Sequence, residues 1–448
     1  MLAVLCFLSF TIAGCALSLT RGPFWGLIAY INIYFNTPDP RINWWGELLP
    51  SLPWNLVVVI VILISILIHR DKVTSTRLAN LKWGIFFLIL SELITLTIAV
   101  NEVDAGYHTY LLFCYVFICW VIVRSVHSIK QFDIFCLFLI FFAAYLSLKG
   151  HFVGERVQAR LEGIGPSDSA GANLFAYVLV SILPLTLPFL AKGKLYEKVI
   201  CLLSLPLIIN GIILCNSRSA LVSFLGASLV AVTLADSKTR RKIVLLLIPL
   251  VFSFVYLADD SFIERISTLT KTEQALNDTD TEAIDQLSSG RTEIWRYGIM
   301  MVSDYPFGAG PNGFKKLAKD YMPVELLSTR IDPEGVRAAH STYLQVLVEQ
   351  GYLGIGIWIA MCVHTLLLLF VWLRTLQRST PQSKEALTVL AMIVSLCVIM
   401  IGGLLNSRVY YELFWWQVAL VASLNGLLAN SQSHPAVEQV NGHKKKLI

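Results

Sequence analysis

The stretch Ala386-Leu387-Thr388-Val389-Leu390-Ala391-Met392-Ile393-Val394-Ser395-Leu396-Cys397-Val398-Ile399-Met400-Ile401-Gly402-Gly403-Leu404-Leu405-Asn406 decides the fold. It contains no charged side chain. A helix rises about 1.5 Å per residue, so about 20 apolar residues cross the hydrocarbon core of a bilayer. Runs of the same kind recur near 52–69, 81–100, 106–124, 131–148, 174–190, 197–214, 218–235, 241–258, 342–373 and 409–428. Residues 2–36 add one long span or a tight pair broken at Arg21-Gly22-Pro23, for a total of twelve or thirteen; the single span is preferred, because the run 23–36 is short for a crossing of its own. The sequence therefore predicts an all-α, polytopic integral membrane protein of about twelve transmembrane helices.

Composition agrees. Of 448 residues, 56% are apolar and 15% charged, and the mean hydropathy is +0.67. Soluble domains average roughly 45–50% apolar and about 25% charged. That excludes an ordinary soluble enzyme and a disordered chain. The formal charge is only +5 with scattered basic residues, which argues against a nucleic-acid partner. Most of the nine cysteines lie in apolar runs and none forms a CxxC pair, so they read as small buried hydrophobes. The start reads as a span rather than a cleaved signal peptide, because no basic stretch precedes its apolar run.

Orientation follows from the positive-inside rule. Alternate connections carry Arg70, Lys72, Arg77 and Lys82; Arg124 and Lys130; Lys192, Lys194 and Lys198; Lys238, Arg240, Arg241 and Lys242; Arg374, Arg378 and Lys384; and Lys444, Lys445 and Lys446. These are 19 of the 35 Lys and Arg, whereas the intervening short connections hold six. The richer side is expected to be cytoplasmic, with the C-terminus on it. The chain then divides into N-terminal spans (1–258), one large outward loop (259–341) and C-terminal spans with a cytoplasmic tail (342–448). The first part of the loop is acidic (Asp278, Asp280, Glu282, Asp285) and reads as a surface arm. A helix is expected from about 290, capped at Ser288-Ser289-Gly290 with Glu293 in its first turn and ending at Tyr305-Pro306.

Three residues stand out at the outward ends of spans. Arg218, in Asn216-Ser217-Arg218-Ser219, lies where Arg is disfavoured. Its plainest reading is a snorkelling side chain. Arg291 opens the loop helix, against the positive end of the helix dipole. An anion lodged between them would turn that cost into a clamp. His340 sits at the junction of loop and span, ahead of Gly351 and Gly354, which favour close packing, and Glu349, a carboxylate in or near the membrane.

At these sites the sequence resembles the O-antigen ligase and polymerase family of bacterial envelopes, and is most like the ligases. The matching residues are His340-Ser341 with Gly351 and Gly354, Ser217-Arg218-Ser219, Ser289-Gly290-Arg291-x-Glu293-x-Trp295, and Asp304-x-Pro306-x-Gly308-x-Gly310, with Arg160 and Asn173 as weaker matches. The resemblance implies a GT-C-like fold and a metal-independent, inverting glycosyltransferase that needs no cofactor. Its donor would be a glycan on undecaprenyl pyrophosphate and its acceptor a lipid A–core sugar, at the periplasmic face of the bacterial inner membrane, among membrane lipids. Family polymerases extend O-antigen or exopolysaccharide, and some relatives glycosylate proteins.

The residue chemistry agrees with that implication. A pyrophosphate leaving group needs charge neutralisation, which two arginines supply. A sugar hydroxyl needs a base, which a neutral imidazole supplies. The expected catalytic set is His340, Arg218 and Arg291. The expected substrate-binding set is Arg160, Asn173, Ser217, Ser219, Arg337, Ser341 and Glu349. No metal site is expected, and Asp259-Asp260 reads as a solvated membrane edge. A lipid-linked-glycan flippase would distribute charges along the spans, whereas here they concentrate on one side. A non-enzymatic binding protein would tolerate loss of His340.

Overall fold

The computed structural model describes residues 2–70, 79–157, 160–257, 291–327 and 337–433. The expected cap at Ser288-Ser289-Gly290, the acidic arm, Asp259-Asp260, Lys72, Arg77 and the Lys444–Lys446 run lie outside the described residues. The chain is all-α and polytopic. Eight described helices are long and apolar enough to cross a membrane, and Phe24–Phe35, Trp54–Ile68 and Arg218–Leu234 are shorter apolar helices.

The first half comprises α1 (Leu2–Arg21), α2 (Phe24–Phe35), α3 (Trp54–Ile68), α4 (Leu81–Thr97), α5 (Glu102–Ser125) and α6 (Ile129–Val153). Residues 2–36 are not one continuous span: they fold as a helical hairpin. Gly22 (φ 126°) and Pro23 break the helix. Gly14 then meets Ala29 while Gly26 meets Ser18: a Cβ added to either glycine would fall within 3 Å of its partner. The absence of two β-carbons lets the α1 and α2 backbones approach. The Trp-rich connection after α2 holds a short 3-10 turn at Trp44–Leu48, with Trp45 buried against Phe7 at 5.2 Å.

A small antiparallel hairpin follows, β1 (Glu155–Val157) and β2 (Arg160–Glu162), pairing Val157 with Arg160. The sequence reading did not foresee it. The span expected at 174–190 is divided into α7 (Ala172–Ile182), a 3-10 turn at Leu183–Leu185 and α8 (Thr186–Lys192), because Pro184 cannot continue the hydrogen-bond ladder. Next come α9 (Leu195–Cys215), α10 (Arg218–Leu234) and α11 (Ser237–Leu257).

Between α11 and the last three helices the described residues give α12 (Arg291–Asp304) and α13 (Gly313–Tyr321). Their apolar faces make a separate small core around Ile294, Met301, Phe314 and Leu317, closed by Val348. The last three helices are α14 (Thr342–Ser379), α15 (Lys384–Gly403) and α16 (Glu412–Ser433). Helix α15 is the axle of the bundle: it packs on α7, α8, α10, α14 and α16 and is buried along most of its length. At one end Lys384 bonds Asp133 of α6 (2.8 Å) and Glu197 of α9 (3.0 Å). At the other, the connection 404–411 reaches the outward-reading residues.

Candidate active site

The tight turn between α9 and α10 is built by two residues. Asn216 takes a left-handed conformation (φ 47°, ψ 52°) and ends α9. Ser217 caps α10 by accepting from the Ala220 amide at 3.4 Å. Arg218 is thereby fixed at the first position of α10, half-buried. Ser217 also donates to Asn173 at 2.8 Å and lies 3.3 Å from the Ser219 hydroxyl. The same Asn173 oxygen accepts from Arg160 of β2 at 2.6 Å. Four of the expected binding residues (Arg160, Asn173, Ser217, Ser219) therefore form one hydrogen-bonded group joining the hairpin, α7 and α10.

His340 is held from the opposite side. Trp295 of α12 donates its indole N–H to the Ala339 carbonyl at 3.0 Å, and Ser341 caps α14 through the Leu344 amide at 3.4 Å. Between these anchors His340 has φ 50°, a conformation that costs a side-chain-bearing residue energy and recurs at functional sites. The His340 imidazole is pushed down to about 4, first by burial and then by the charges of Arg291 and Arg337. It is neutral at pH 7. Arg291 is itself lowered, by burial and by the neighbouring Arg160 and Arg337 guanidinium groups, with Tyr177 acting in the opposite sense. Burial likewise lowers Arg337, and its Nε is buried without a hydrogen-bond partner. Neither Arg291 nor Arg337 has an ion pair with a described residue. Like charges gathered in a half-buried pocket disfavour one another unless an anion joins them.

Glu349 stands apart from this group. It is 1% exposed; its oxygens accept from Tyr410 (2.6 Å) and Gln345 (3.2 Å), and Tyr410 in turn accepts from the Asn312 amide at 3.2 Å. These bonds join α14 to the loop segment and to the 404–411 connection, and none of them reaches the other residues of the expected substrate-binding set. The glycine motifs have a related explanation. Gly351 (φ 65°, ψ −168°) kinks α14. The kink exposes carbonyls of the preceding turn, and Ala309 and Gly310 donate to Val348 and Glu349 at 2.9 and 3.0 Å. Tyr352 returns a bond to Pro306 at 3.1 Å. The close packing expected of Gly351 is thus with the Pro306–Gly310 segment rather than with another helix.

That geometry predicts a stability effect. A side chain at Gly351 would place its Cβ 2.5 Å from the Pro306 oxygen, in a backbone region open essentially only to glycine. Gly351→Ala should cost about 1–3 kcal/mol or more, read as a lowered melting temperature of the purified protein. An unchanged melting temperature would mean that the Pro306–Gly310 segment is not anchored by the kink.

Residues 203–359 match the family model described as O-antigen ligase. This segment is similar to the O-antigen ligase family. No curated protein matches the chain. The matched segment begins within α9 and ends within α14, and so contains Arg218, Arg291, Arg337, His340 and Glu349 but not Arg160 or Asn173. A membrane enzyme of glycan transfer is the function that this family carries.

Three residues at the site escaped the sequence reading. Tyr177 of α7 accepts a hydrogen bond from Ser223 at 3.3 Å and lies within the electrostatic reach of Arg291. Asn406 links both halves of the site: its carbonyl accepts from Thr342 (2.6 Å) and its amide donates to Ser219 (3.5 Å). Arg408 lies two residues further on, over the Tyr177 ring. Arg408 had a usable signal, an arginine in a short outward connection, which is the same signal that singled out Arg218. Tyr177 and Asn406 had none, since nothing in an apolar run marks which face meets a distant loop.

Proposed function

We propose that this protein is an inverting, metal-independent glycosyltransferase acting at the periplasmic face of the bacterial inner membrane. It transfers an O-antigen-type glycan from undecaprenyl pyrophosphate to a lipid A–core sugar. The observation that carries this reading is a neutral, half-buried imidazole set among several guanidinium groups, within a segment similar to the O-antigen ligase family. The acceptor hydroxyl oxygen attacks the anomeric carbon, and its proton passes to His340 as the bond forms. The bond to the pyrophosphate oxygen breaks on the opposite face, and that oxygen keeps the electron pair. Arg218 and Arg291 neutralise the charge, with Arg160 and Arg337 extending the basic pocket. Asn173, Ser217, Ser219 and Ser341 hold these groups in place. The alternative reading is an O-antigen or exopolysaccharide polymerase, or a protein O-glycan ligase, using the same chemistry.

The test is transfer by purified protein from lipid-linked donor to lipid A–core in EDTA. Inverted product without added metal is expected. Retained configuration, or a requirement for a divalent ion, would overturn the mechanism. Product lengthened on the carrier lipid would instead assign a polymerase.

Orientation is tested separately. Cysteines placed beside Arg218, Arg291 and His340 should react with an impermeant reagent added to spheroplasts, and cysteines beside Arg240 and Lys384 should not. Labelling beside Arg240 in intact spheroplasts would reverse the proposed topology.

A further inference from the structure

Arg408 is 6% exposed, in the connection between α15 and α16, and has no ion pair with a described residue. Its guanidinium carbon sits 4.0 Å from the Tyr177 ring centroid, within cation–π range. One terminal nitrogen makes a long 3.4 Å bond to the Leu174 carbonyl, and the Nε is buried with no partner. Asp168 is the carboxylate whose charge reaches Arg408, but it is not within ion-pair distance. The Asp168 oxygens are already taken by Tyr34, Ser169 and the Glu412 amide, each at 2.8 Å. A buried guanidinium that keeps an unused donor is costly unless a ligand completes it.

Its place in the fold says which ligand. Arg408 lines a narrow cleft with Thr342, Tyr343 and Gly403. Thr342 follows His340-Ser341 directly, and Asn406 ties the same connection to Ser219. Tyr177 is held flat by Gly402, where a Cβ would lie 2.2 Å from the ring, and it is within reach of Arg291 as well as Arg408. Tyr177 thus lies under the Arg408 guanidinium and within electrostatic reach of Arg291.

We propose that Arg408 is a further binding residue for the anionic pyrophosphate group, contributed by the α15–α16 connection and held over the Tyr177 ring. This rests on the pyrophosphate reading above. Binding would complete the unused Nε donor, and would couple the 404–411 connection to occupancy of the site.

The test uses full-length protein in nanodiscs with farnesyl pyrophosphate and inorganic pyrophosphate as probes. Arg408→Gln should weaken both by about tenfold, the loss of one charge-assisted contact. Arg408→Lys keeps the charge but loses the fork and the Nε donor, and should weaken both by a smaller factor. The lysine variant answers the question if the glutamine variant does not fold. Arg291→Ala, measured in parallel, separates the two readings. Normal affinity in Arg408→Lys and in any folded Arg408→Gln, with loss in Arg291→Ala, would make Arg408 purely structural. Normal affinity in Arg291→Ala would overturn the pyrophosphate reading and the inference with it. Loss confined to farnesyl pyrophosphate would place Arg408 against the lipid and overturn its role as an anion ligand.

Discussion

Replacing His340 by alanine should lower the rate of glycan transfer on the order of 10²–10⁴-fold while leaving donor binding in place. The reason lies in the protonation state. A base must be unprotonated when the acceptor arrives, and burial together with Arg291 and Arg337 holds the imidazole down at about 4. The neutral form is present above that value and lost as pH falls through it. In the free enzyme, kcat/KM should therefore keep its acid limb near pH 4 rather than near the ordinary histidine value. The limb of kcat should lie higher, because a bound pyrophosphate offsets the arginines that depress the imidazole. The measurement is a pair of pH profiles with lipid-linked donor, for the native protein and for His340→Ala. Native-like transfer by the alanine variant would remove His340 from the chemistry. A kcat/KM limb near the ordinary value would mean that the arginines do not surround it in solution.

Charge and hydropathy made the bundle legible before any coordinates. A membrane helix must satisfy its backbone internally, so each crossing needs a long apolar run, and such runs can be counted. The same logic blurred at short or interrupted helices. The break at Gly22-Pro23 was visible in residues 2–36, but the close approach of Gly14 to Ala29 and of Gly26 to Ser18 that seats the hairpin is a property of pairs that no single run displays. The β1–β2 hairpin rests on a few residues with no apolar stripe. It was not foreseen; only Arg160, which it carries to Asn173, was singled out.

The site was legible in part for the same reason. An arginine or histidine at a membrane boundary is conspicuous, so Arg218, Arg291 and His340 stood out singly. Their partners did not, because these come from distant elements. Asn406 joins Thr342 and Ser219, and Tyr177 lies under Arg408, through contacts spanning much of the chain. Glu349 was legible as an unusual carboxylate, but its partners were not. A buried acid signals a partner, and its partners proved to be Tyr410 and Gln345.

The two arginines should be separable by their effect on the histidine. Arg291→Ala and Arg218→Ala should each lower transfer by about 10²–10³-fold, the usual loss when one group stabilising developing charge is removed. Lysine at either position should recover only part of it, because a point charge replaces a planar fork. Arg291 does one thing more: its charge contributes to holding the His340 imidazole low, whereas Arg218 is not among the groups that do so. The residual activity of Arg291→Ala should therefore show its kcat/KM acid limb shifted upward from about 4, toward the ordinary histidine range. Arg218→Ala should lose rate with the limb unmoved. Lysine at position 291 should restore the low limb more fully than it restores the rate, since a charge suffices for the first and a fork is needed for the second. The readout is the pH profile of each variant with the same donor. An unmoved limb in Arg291→Ala would show that Arg291 does not stand beside the base, and full transfer by either alanine variant would remove that arginine from the stabilisation of the leaving group.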